Sequence, residues 1–589
     1  MCGIIGYIGK KNPIEILIEG LKKLEYRGYD SAGIALKNNS QIEIVKSVGK
    51  ISELEAKLKN TPLISANIGI AHTRWATHGI PDELNAHPHQ VGKITLVHNG
   101  IIENAEEIRA ELEKEGKVFK STTDTEVAAA LIDKYYQGDI IECLNYVIPK
   151  LKGSYAFAII TKDNDKLYAL RKDSPLIIGI GEEENFIASD IMAITNYTNK
   201  YILLEENEVA VLEQNSYQIL RAGQEVMKEV KEIRTTEQEN TKNGYKHYML
   251  KEIMEEPQVI EKTLKPYLVS LDNLPNLDSY EEIHIVACGS AMYAGMIGKS
   301  LLEEKANIKC LVECASEYRY KKIIYDRKTL VILISQSGET ADTIAAMRKA
   351  HASNIDTLGI VNVKTSTIAR EVKKVLFIEA GPEIAVATTK AYILQVLLLS
   401  LLSYKAAKNK NLIKEPLENE FSSLPNLITE ILNNQKSYQM IANELYKANN
   451  IFFIGRKIDY SICLEGSLKL KEISYIHSEA YQAGELKHGT ISLIDKNVPV
   501  IAVVTDKEIK EKTLSNIEEV KARGAYTIVL SNENIKIETD KNIIVTKVSD
   551  FIQPILIVPI LQLIAYEVAL LRGCDIDKPK NLAKSVTVE

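Results

Sequence analysis

Cys2 follows the initiator Met and opens the apolar run CGIIGYIG. Removal of Met1, expected before so small a residue, would place an α-amino group of pKa near ~8 beside the thiol, where it can act as general base for its own side chain. The run reads as a buried strand, which would hold the thiol in place instead of leaving it on a frayed terminus. A second candidate is Ser335-Gln336-Ser337-Gly338-Glu339-Thr340, which follows the apolar run LVILI and opens a helix at ADTIAAMRKA. Three hydroxyls, a glycine that permits close backbone approach and a helix N-terminus make an anion cradle; the competing reading is an ordinary N-cap with incidental serines. The loop lacks the Gly and Lys spacing of a P-loop, so a nucleoside triphosphate is not implied.

Of ten histidines, five fall between His72 and His98, in AHTRWATHG, NAHPH and VHNGIIEN, together with the only tryptophan, Trp75. Such clustering first suggests a metal, but there is no HExxH and no carboxylate arranged with the histidines. No metal is expected, and histidines hydrogen-bonded to loop backbone are the better account. Asn99-Gly100 offers an amide side chain and an unobstructed N–H, the donors an oxyanion hole needs. LEGSLKLKE, from Leu464, sets Lys469 three residues before Glu472 on one helical face; on pattern alone it is a surface helix with charge pairs.

The elements that must position these groups are legible as short apolar runs. IHIVACGS from Ile283 recurs as IFFIGRKI from Ile451, TLVILISQS from Thr329 as VPVIAVVTD from Val498, DTLGIVNV from Asp356 as AYTIVLSN from Ala525, and VLFIEAG from Val375 as IIVTKVS from Ile543. The offset stays at about 168 residues, with helix-length segments between the runs. Fully buried parallel strands and a duplicated doubly wound α/β domain follow. Ligands of such sheets sit beyond the carboxyl ends of the strands, where the SQSGET loop falls. Polar stretches near residues 225–245 and 405–420 divide the chain into 1–225, a linker with connecting helices at 226–274, domains at 275–415 and 435–578, and a tail at 579–589.

With 589 residues, 45% hydrophobic and 26% charged, the chain has ample core. Its net charge of -7 leaves no basic surplus for nucleic acid. Seven cysteines without CxxC spacing suit a reducing cytoplasm with free thiols. The N-terminus lacks the charged n-region and long apolar core of a signal peptide. Ala391–Leu402 is too short for a membrane span, and Ile555–Leu571 is broken by Pro559, Gln562 and Glu567, so both read as buried helices.

MCGIIGYIG, YRGYDSAG at Tyr26, HTRWATHG, NAHPH, HNGIIEN and TDTE at Thr123 resemble the N-terminal-nucleophile glutaminase domain of class II amidotransferases. SQSGET, AVATTKAY at Ala385, LEGSLKLKE, EAYQAGELKHG at Glu479 and the terminal NLAKSVTVE resemble the paired sugar-isomerase (SIS) domains of the glutamine:fructose-6-phosphate amidotransferases. The resemblance spans essentially the whole chain. It implies an αββα glutaminase domain followed by two doubly wound parallel-sheet SIS domains, with L-glutamine and fructose 6-phosphate as substrates, no cofactor and a homodimer. Cys2 would be the nucleophile, with Asn99 and Gly100 stabilising the oxyanion. Arg74 and Asp124 would take the glutamine's α-carboxylate and α-ammonium, Thr77 and His78 would add polar contacts, and Arg27 would organise the site. His87 and His98 would support it.

In the other half, the resemblance assigns the phosphate to Ser335, Gln336, Ser337 and Thr340, with Ser290 and Thr388. His488 would open the sugar ring, Lys584 would form a Schiff base with the C2 ketone, and Glu472 would carry a proton between C1 and C2. Lys469 would set the charge of Glu472, and the backbone of Ala583 and Val586 would touch sugar, the tail docking between the duplicated domains. Trp75 would gate an ammonia channel. The chain departs from the family at Ser290-Ala291-Met292-Tyr293, where Thr-Ser and then Tyr-His are usual, at Thr388 for Ser, at Lys457 for Gly and at Thr490 for Pro. Two other readings are another class II amidotransferase sharing only the first 225 residues, and a sugar-phosphate sensor without catalysis. The duplicated half argues against the first, and Glu472, His488 and Lys584 together argue against the second.

Overall fold

The apolar run after Cys2 forms strand β1, Gly3–Gly9, buried along its whole length. In the computed structural model, which describes residues 2–76, 79–232, 241–325 and 328–587, with the backbone alone of Tyr26, β1 lies inside an eight-stranded antiparallel sheet. Its neighbours are Ile68–Arg74 (β2) and the strand Glu184–Ala188. A seven-stranded sheet containing Ile94–Ile102 (β3) and Gly153–Thr161 (β4) packs on it, so that Ile4, Ile8 and Ile70 meet Val97, Ala158 and Ala210. Pro13–Leu24 (α1) covers the first sheet through Leu17 and Leu21, and Asp124–Tyr135 (α2) covers the second through Val127 and Leu131. The result is an αββα sandwich whose inner strands are apolar on both faces because each sheet is covered on both sides.

This unit comprises Met1–Thr236 together with Ala583–Glu589. It therefore runs beyond the boundary expected at 225, because Lys231–Glu232 adds to the first sheet beside Lys200–Leu203. The charge-dense composition that resembles a linker there belongs partly to an edge strand, where charge discourages further pairing.

The second unit, Glu237–Leu582, holds two five-stranded parallel sheets. Glu282–Ala287 (β5), Lys309–Cys314 (β6), Thr329–Ser335 (β7), Asp356–Val361 (β8) and Lys374–Phe377 (β9) run in the order β6-β5-β7-β8-β9. Asn450–Gly455 (β10), His477–Gln482 (β11), Pro499–Val504 (β12), Tyr526–Ser531 (β13) and Lys541–Ile544 (β14) repeat it as β11-β10-β12-β13-β14. Helices Gly289–Ala306 (α3), Ala341–Ala352 (α4) and Lys390–Asn409 (α5) belong to the first copy, and Ile458–Ser474 (α6), Lys510–Lys521 (α7) and Gln553–Leu571 (α8) to the second.

Both apolar stretches that length could confuse with membrane spans are core helices: α5 is buried from Lys390 to Ala407, and the stretch of α8 apolar enough to cross a membrane is 89% buried. Gly466 lets α8 approach α6 closely, since a Cβ there would come within 2.7 Å of Leu561.

Candidate functional site

In the first unit the Cys2 thiol sits against the end of β2, where it receives the Trp75 N–H at 3.2 Å and donates to the Trp75 carbonyl at 3.5 Å. Asn99, on β3, donates its amide to the Cys2 carbonyl at 2.9 Å, which uses one of its two amide hydrogens. Burial pushes the Cys2 thiol up, while the Trp75 N–H and the Arg74 guanidinium pull it down and Asp124 opposes them. Those effects place Arg74 and Asp124 close enough to the thiol to act on it. Arg74 spans the Ile80 and Gly79 carbonyls at 3.3 and 3.1 Å, and Asp124, at the start of α2, accepts the Ile102 N–H at 2.9 Å. Gly100 has φ of +128°, and a Cβ would come within 2.0 Å of the Ser154 carbonyl, so β3 can pass β4 there only with glycine.

Arg27 is paired with Asp190 at 2.6 Å, a contact that holds the loop following Glu184–Ala188. Trp75 stands edge-on to Tyr29, with ring centroids 6.2 Å apart. Thr77 and His78 lie outside the described residues.

The histidines form a neutral stack. His72 lies over His87 with centroids 4.1 Å apart, and His89 meets His87 edge-on at 5.0 Å. Burial pushes His72 down to about 3 and His87 and His89 well below the usual imidazole range. His72 bonds the His98 carbonyl at 2.9 Å and Asn99 Oδ1 at 3.1 Å, and His98 bonds Thr125 at 3.0 Å. The stack thus orients the Asn99 amide and the first turn of α2 that carries Asp124. Among the described residues no cluster has the makeup of a metal site.

In the second unit the SQSGET loop follows β7. Ser335 Oγ and Thr340 Oγ1 are 2.9 Å apart, Gly338 N–H donates to Ser335 at 3.0 Å, and Glu339 N–H donates to Ser337 at 3.2 Å. The Gln336 carbonyl accepts from Asn362 N–H at 3.1 Å. Gly338 has φ of +65°, and a Cβ would collide with Ser366 Oγ at 2.0 Å. Thr340 stands at the N-cap of α4 but turns its hydroxyl to Ser335 instead of to the helix. Ser290 is buried in the first turn of α3. Thr388 donates to Glu383 at 2.7 Å, and Glu383 also receives Thr389 and Ala391 N–H at 3.0 and 3.1 Å, capping α5.

The matching loop of the second copy, after β12, is filled from within. Asp459 accepts Thr505 N–H at 2.8 Å, the Thr505 hydroxyl and Asp506 N–H at 3.3 Å. Burial pushes Asp459 up to about 6, and those bonds hold it down from going further. An internal carboxylate therefore takes up the N–H and hydroxyl donors of the loop after β12.

LEGSLKLKE is not the surface helix its charge pattern suggests. It is α6, and Lys469 is 1% and Glu465 2% exposed. Lys469 Nζ lies 2.5 Å from Glu472 and 3.5 Å from Glu465. Burial opposes the charge on Lys469, but Glu465 and Glu472 outweigh it and hold the ammonium above the usual lysine range. Burial pushes Glu465 up to about 7, with Lys469 acting against it. Tyr293 of α3 faces the same group: burial raises its hydroxyl, and Glu465 raises it further. The unusual Tyr293 thus faces the charged face of α6. Glu383, Glu465 and Asp459 escaped the sequence reading, since acidic residues are frequent and nothing local marks these as buried.

His488 is exposed on the 3-10 turn Glu485–His488, outside the Lys469 ion pairs. The tail is rooted by Asp577, whose carboxylate receives Tyr248 and Met249 N–H at 2.9 and 3.0 Å, and by Lys580 N–H donating to Tyr475 at 2.8 Å. Its last residues, Ala583–Glu589, group with the first unit. Ala583 and Lys584 are half-buried and Val586 is exposed.

Comparison with known proteins matches residues 72–196 to the glutamine amidotransferase domain and residues 277–404 and 444–572 to the SIS domain. The glutamine–fructose-6-phosphate aminotransferases [isomerizing] of Caldanaerobacter subterraneus subsp. tengcongensis and Thermococcus kodakarensis are each 46% identical, over 609 and 603 residues, covering all of both chains. That of Thermus thermophilus is 44% identical over 605 residues with the same coverage. Among solved structures, the C-terminal domain of glucosamine-fructose-6-phosphate aminotransferase from Francisella tularensis matches at 38% identity with a TM-score of 0.55, covering 57% of this chain and 99% of that one.

Proposed function

The chain belongs to the isomerizing glutamine–fructose-6-phosphate aminotransferase family, and from that membership we propose how its own residues divide one reaction. It hydrolyses glutamine and transfers the ammonia to fructose 6-phosphate, isomerising it to glucosamine 6-phosphate, the first step of amino-sugar synthesis. The observation that carries this reading is that one chain holds both a clamped N-terminal thiol and a buried Lys469–Glu472 pair in a sheet domain whose copy ends in a hydroxyl-lined anion loop.

With Met1 removed, the Cys2 amine takes the thiol proton and the thiolate attacks the glutamine amide carbon. The Asn99 amide and Gly100 N–H receive the negative charge that develops on oxygen. Arg74 holds the substrate's α-carboxylate and Asp124 its α-ammonium, with Thr77 and His78 adding contacts. Ammonia leaves on protonation and water hydrolyses the thioester. Arg27, through Asp190, steadies the surrounding loop.

Ser335, Gln336, Ser337 and Thr340 hold the sugar phosphate at the N-terminus of α4, with Ser290 and Thr388 contributing further hydroxyls. His488 moves the proton that opens the ring. Lys584 condenses with the C2 ketone, water leaving; the ammonia then adds at that C2 iminium and the Lys584 amine departs. The nitrogen left on C2 therefore comes from glutamine, and the resulting imine makes the C1 proton acidic. Glu472 removes that proton and returns it at C2, while Lys469 stabilises the negative charge. Ala583 and Val586 contribute backbone contacts to the sugar. The enzyme is a cytoplasmic homodimer, in keeping with thiols that remain free.

Glutamine labelled with nitrogen-15 at the amide, supplied with fructose 6-phosphate, is expected to give labelled glucosamine 6-phosphate; glutamate without aminated sugar would overturn the reading. Trp75 is the proposed gate of the ammonia path. Trp75→Ala keeps the backbone N–H and carbonyl that touch Cys2 while removing the indole that leans on Tyr29. Glutamate release should continue while aminated sugar falls several-fold behind it. Equal yields of the two products in this variant would return Trp75 to ordinary packing.

A further inference from the structure

Cys288 and Cys314 are far apart in sequence and adjacent in space. Cys314 ends β6, whose parallel register with β5 sets Ala287 opposite Cys314, and Cys288 is the next residue, at the N-cap of α3. One strand spacing combined with one residue of rise separates the two Cα atoms by about 6 Å, inside the window a disulfide spans. Cys314 is near enough to Cys288 to help raise its thiol, and the Cys314 sulfur meets Ser316 Oγ at 3.2 Å. Both residues are partly exposed, unlike Cys143, Cys310 and Cys463. On its other side β5 pairs with β7 in the register Val286 to Leu333, which continued by two residues brings Cys288 beside Ser335.

We propose that Cys288 and Cys314 form a redox-sensitive dithiol that closes to a disulfide under peroxide and thereby weakens the neighbouring sugar-phosphate cradle. The coupling to sugar rests on the assignment of Ser335–Thr340 as that cradle; formation of the disulfide does not. Burial, followed by the Cys314 neighbour, pushes the Cys288 thiol up to about 12, so Cys314 is the sulfur that attacks first. Its thiolate displaces hydroxide from hydrogen peroxide, breaking the O–O bond and giving Cys314 sulfenic acid. The Cys288 sulfur then attacks that sulfur: the S–S bond forms, the S–O bond breaks, and the departing hydroxide takes the Cys288 proton and leaves as water. Overall, two thiols lose two electrons and two protons, and one peroxide becomes two waters. Contraction of the sulfur pair to a bond of about 2.05 Å pulls the N-cap of α3 toward β6. Ser290, two residues on, moves with it.

The test treats the full-length protein with hydrogen peroxide, maps disulfide-linked peptides by mass spectrometry and measures fructose 6-phosphate binding by calorimetry. The expected result is a peptide pair joined through Cys288 and Cys314, at least a tenfold rise in the Kd for fructose 6-phosphate, and recovery with dithiothreitol. Cys314→Ser should bind sugar normally and resist peroxide in both measurements. If Cys288 and Cys314 are still separately alkylated after peroxide, the dithiol proposal fails; if the bond forms and binding is unchanged, or Cys314→Ser loses affinity equally, the coupling fails. A reduced protein that binds no fructose 6-phosphate would instead refute the functional reading, and the peptide map would still judge the disulfide.

Discussion

Cys2→Ala should reduce glutamate release from glutamine by at least ~10⁴-fold, because no other group can form the acyl intermediate and only binding and oxyanion contacts remain. The thiol is placed by backbone, between the Trp75 N–H and carbonyl, and its residue is tied to the Asn99 amide. Alanine preserves the backbone carbonyl that Asn99 bonds, so the αββα unit should fold and the loss should be chemical. Glutamate measured enzymatically, with circular dichroism and fructose 6-phosphate binding as controls, reads the outcome. A variant retaining a tenth of the wild-type rate would remove Cys2 from the nucleophile role.

The second large effect is expected at Lys469→Met, which keeps the length of the side chain and deletes its charge. Glu465 and Glu472 would then share a buried helical face with no cation between them. Removing one partner from a buried charge pair costs about 3–5 kcal/mol. Part of that penalty should be avoided by protonation of Glu465, which burial already pushes up to about 7. Two readouts follow: the second unit should melt several degrees lower, and formation of glucosamine 6-phosphate should fall by ~10³-fold as proton transfer at C1 and C2 loses its charge control. Glutamine hydrolysis, which uses the other unit, should persist. Normal synthesis in this variant would mean that the buried cation only supports the fold.

Much of the architecture was legible because it depends on short-range pattern. Buried parallel strands are continuous apolar runs, and the repeat at constant offset exposes the duplication before any geometry is known. The thiol at position 2, the hydroxyl loop and Asn99-Gly100 were likewise visible, since unusual residue types or spacings mark them. Burial of α6 was not. Its Lys and Glu spacing is that of any solvated helix, and it takes tertiary neighbours, among them α8 at Gly466, Tyr293 of α3 and Tyr392 of α5, to make those charges interior. Asp459 and Glu383 were missed for the same reason: a carboxylate that bonds loop N–H groups differs from a surface one in its tertiary neighbours alone. The histidine cluster shows the converse case, where a conspicuous composition suggested metal and the stacked, neutral rings serve to orient Asn99 and α2.

The carboxylate of Asp459, lodged in the loop after β12, bears on how the two copies parted company. Twin domains that each bound sugar would compete for one substrate, and neither could specialise. Under the proposed assignment, the carboxylate seated in the later copy bars it from that competition and leaves it free to lend Lys469 and Glu472 through α6, while the earlier copy keeps the docking loop. This division of labour makes the pair indivisible. Excising either sheet would leave a holder without chemistry or chemistry without a holder, so a minimal sugar-converting fragment must contain both.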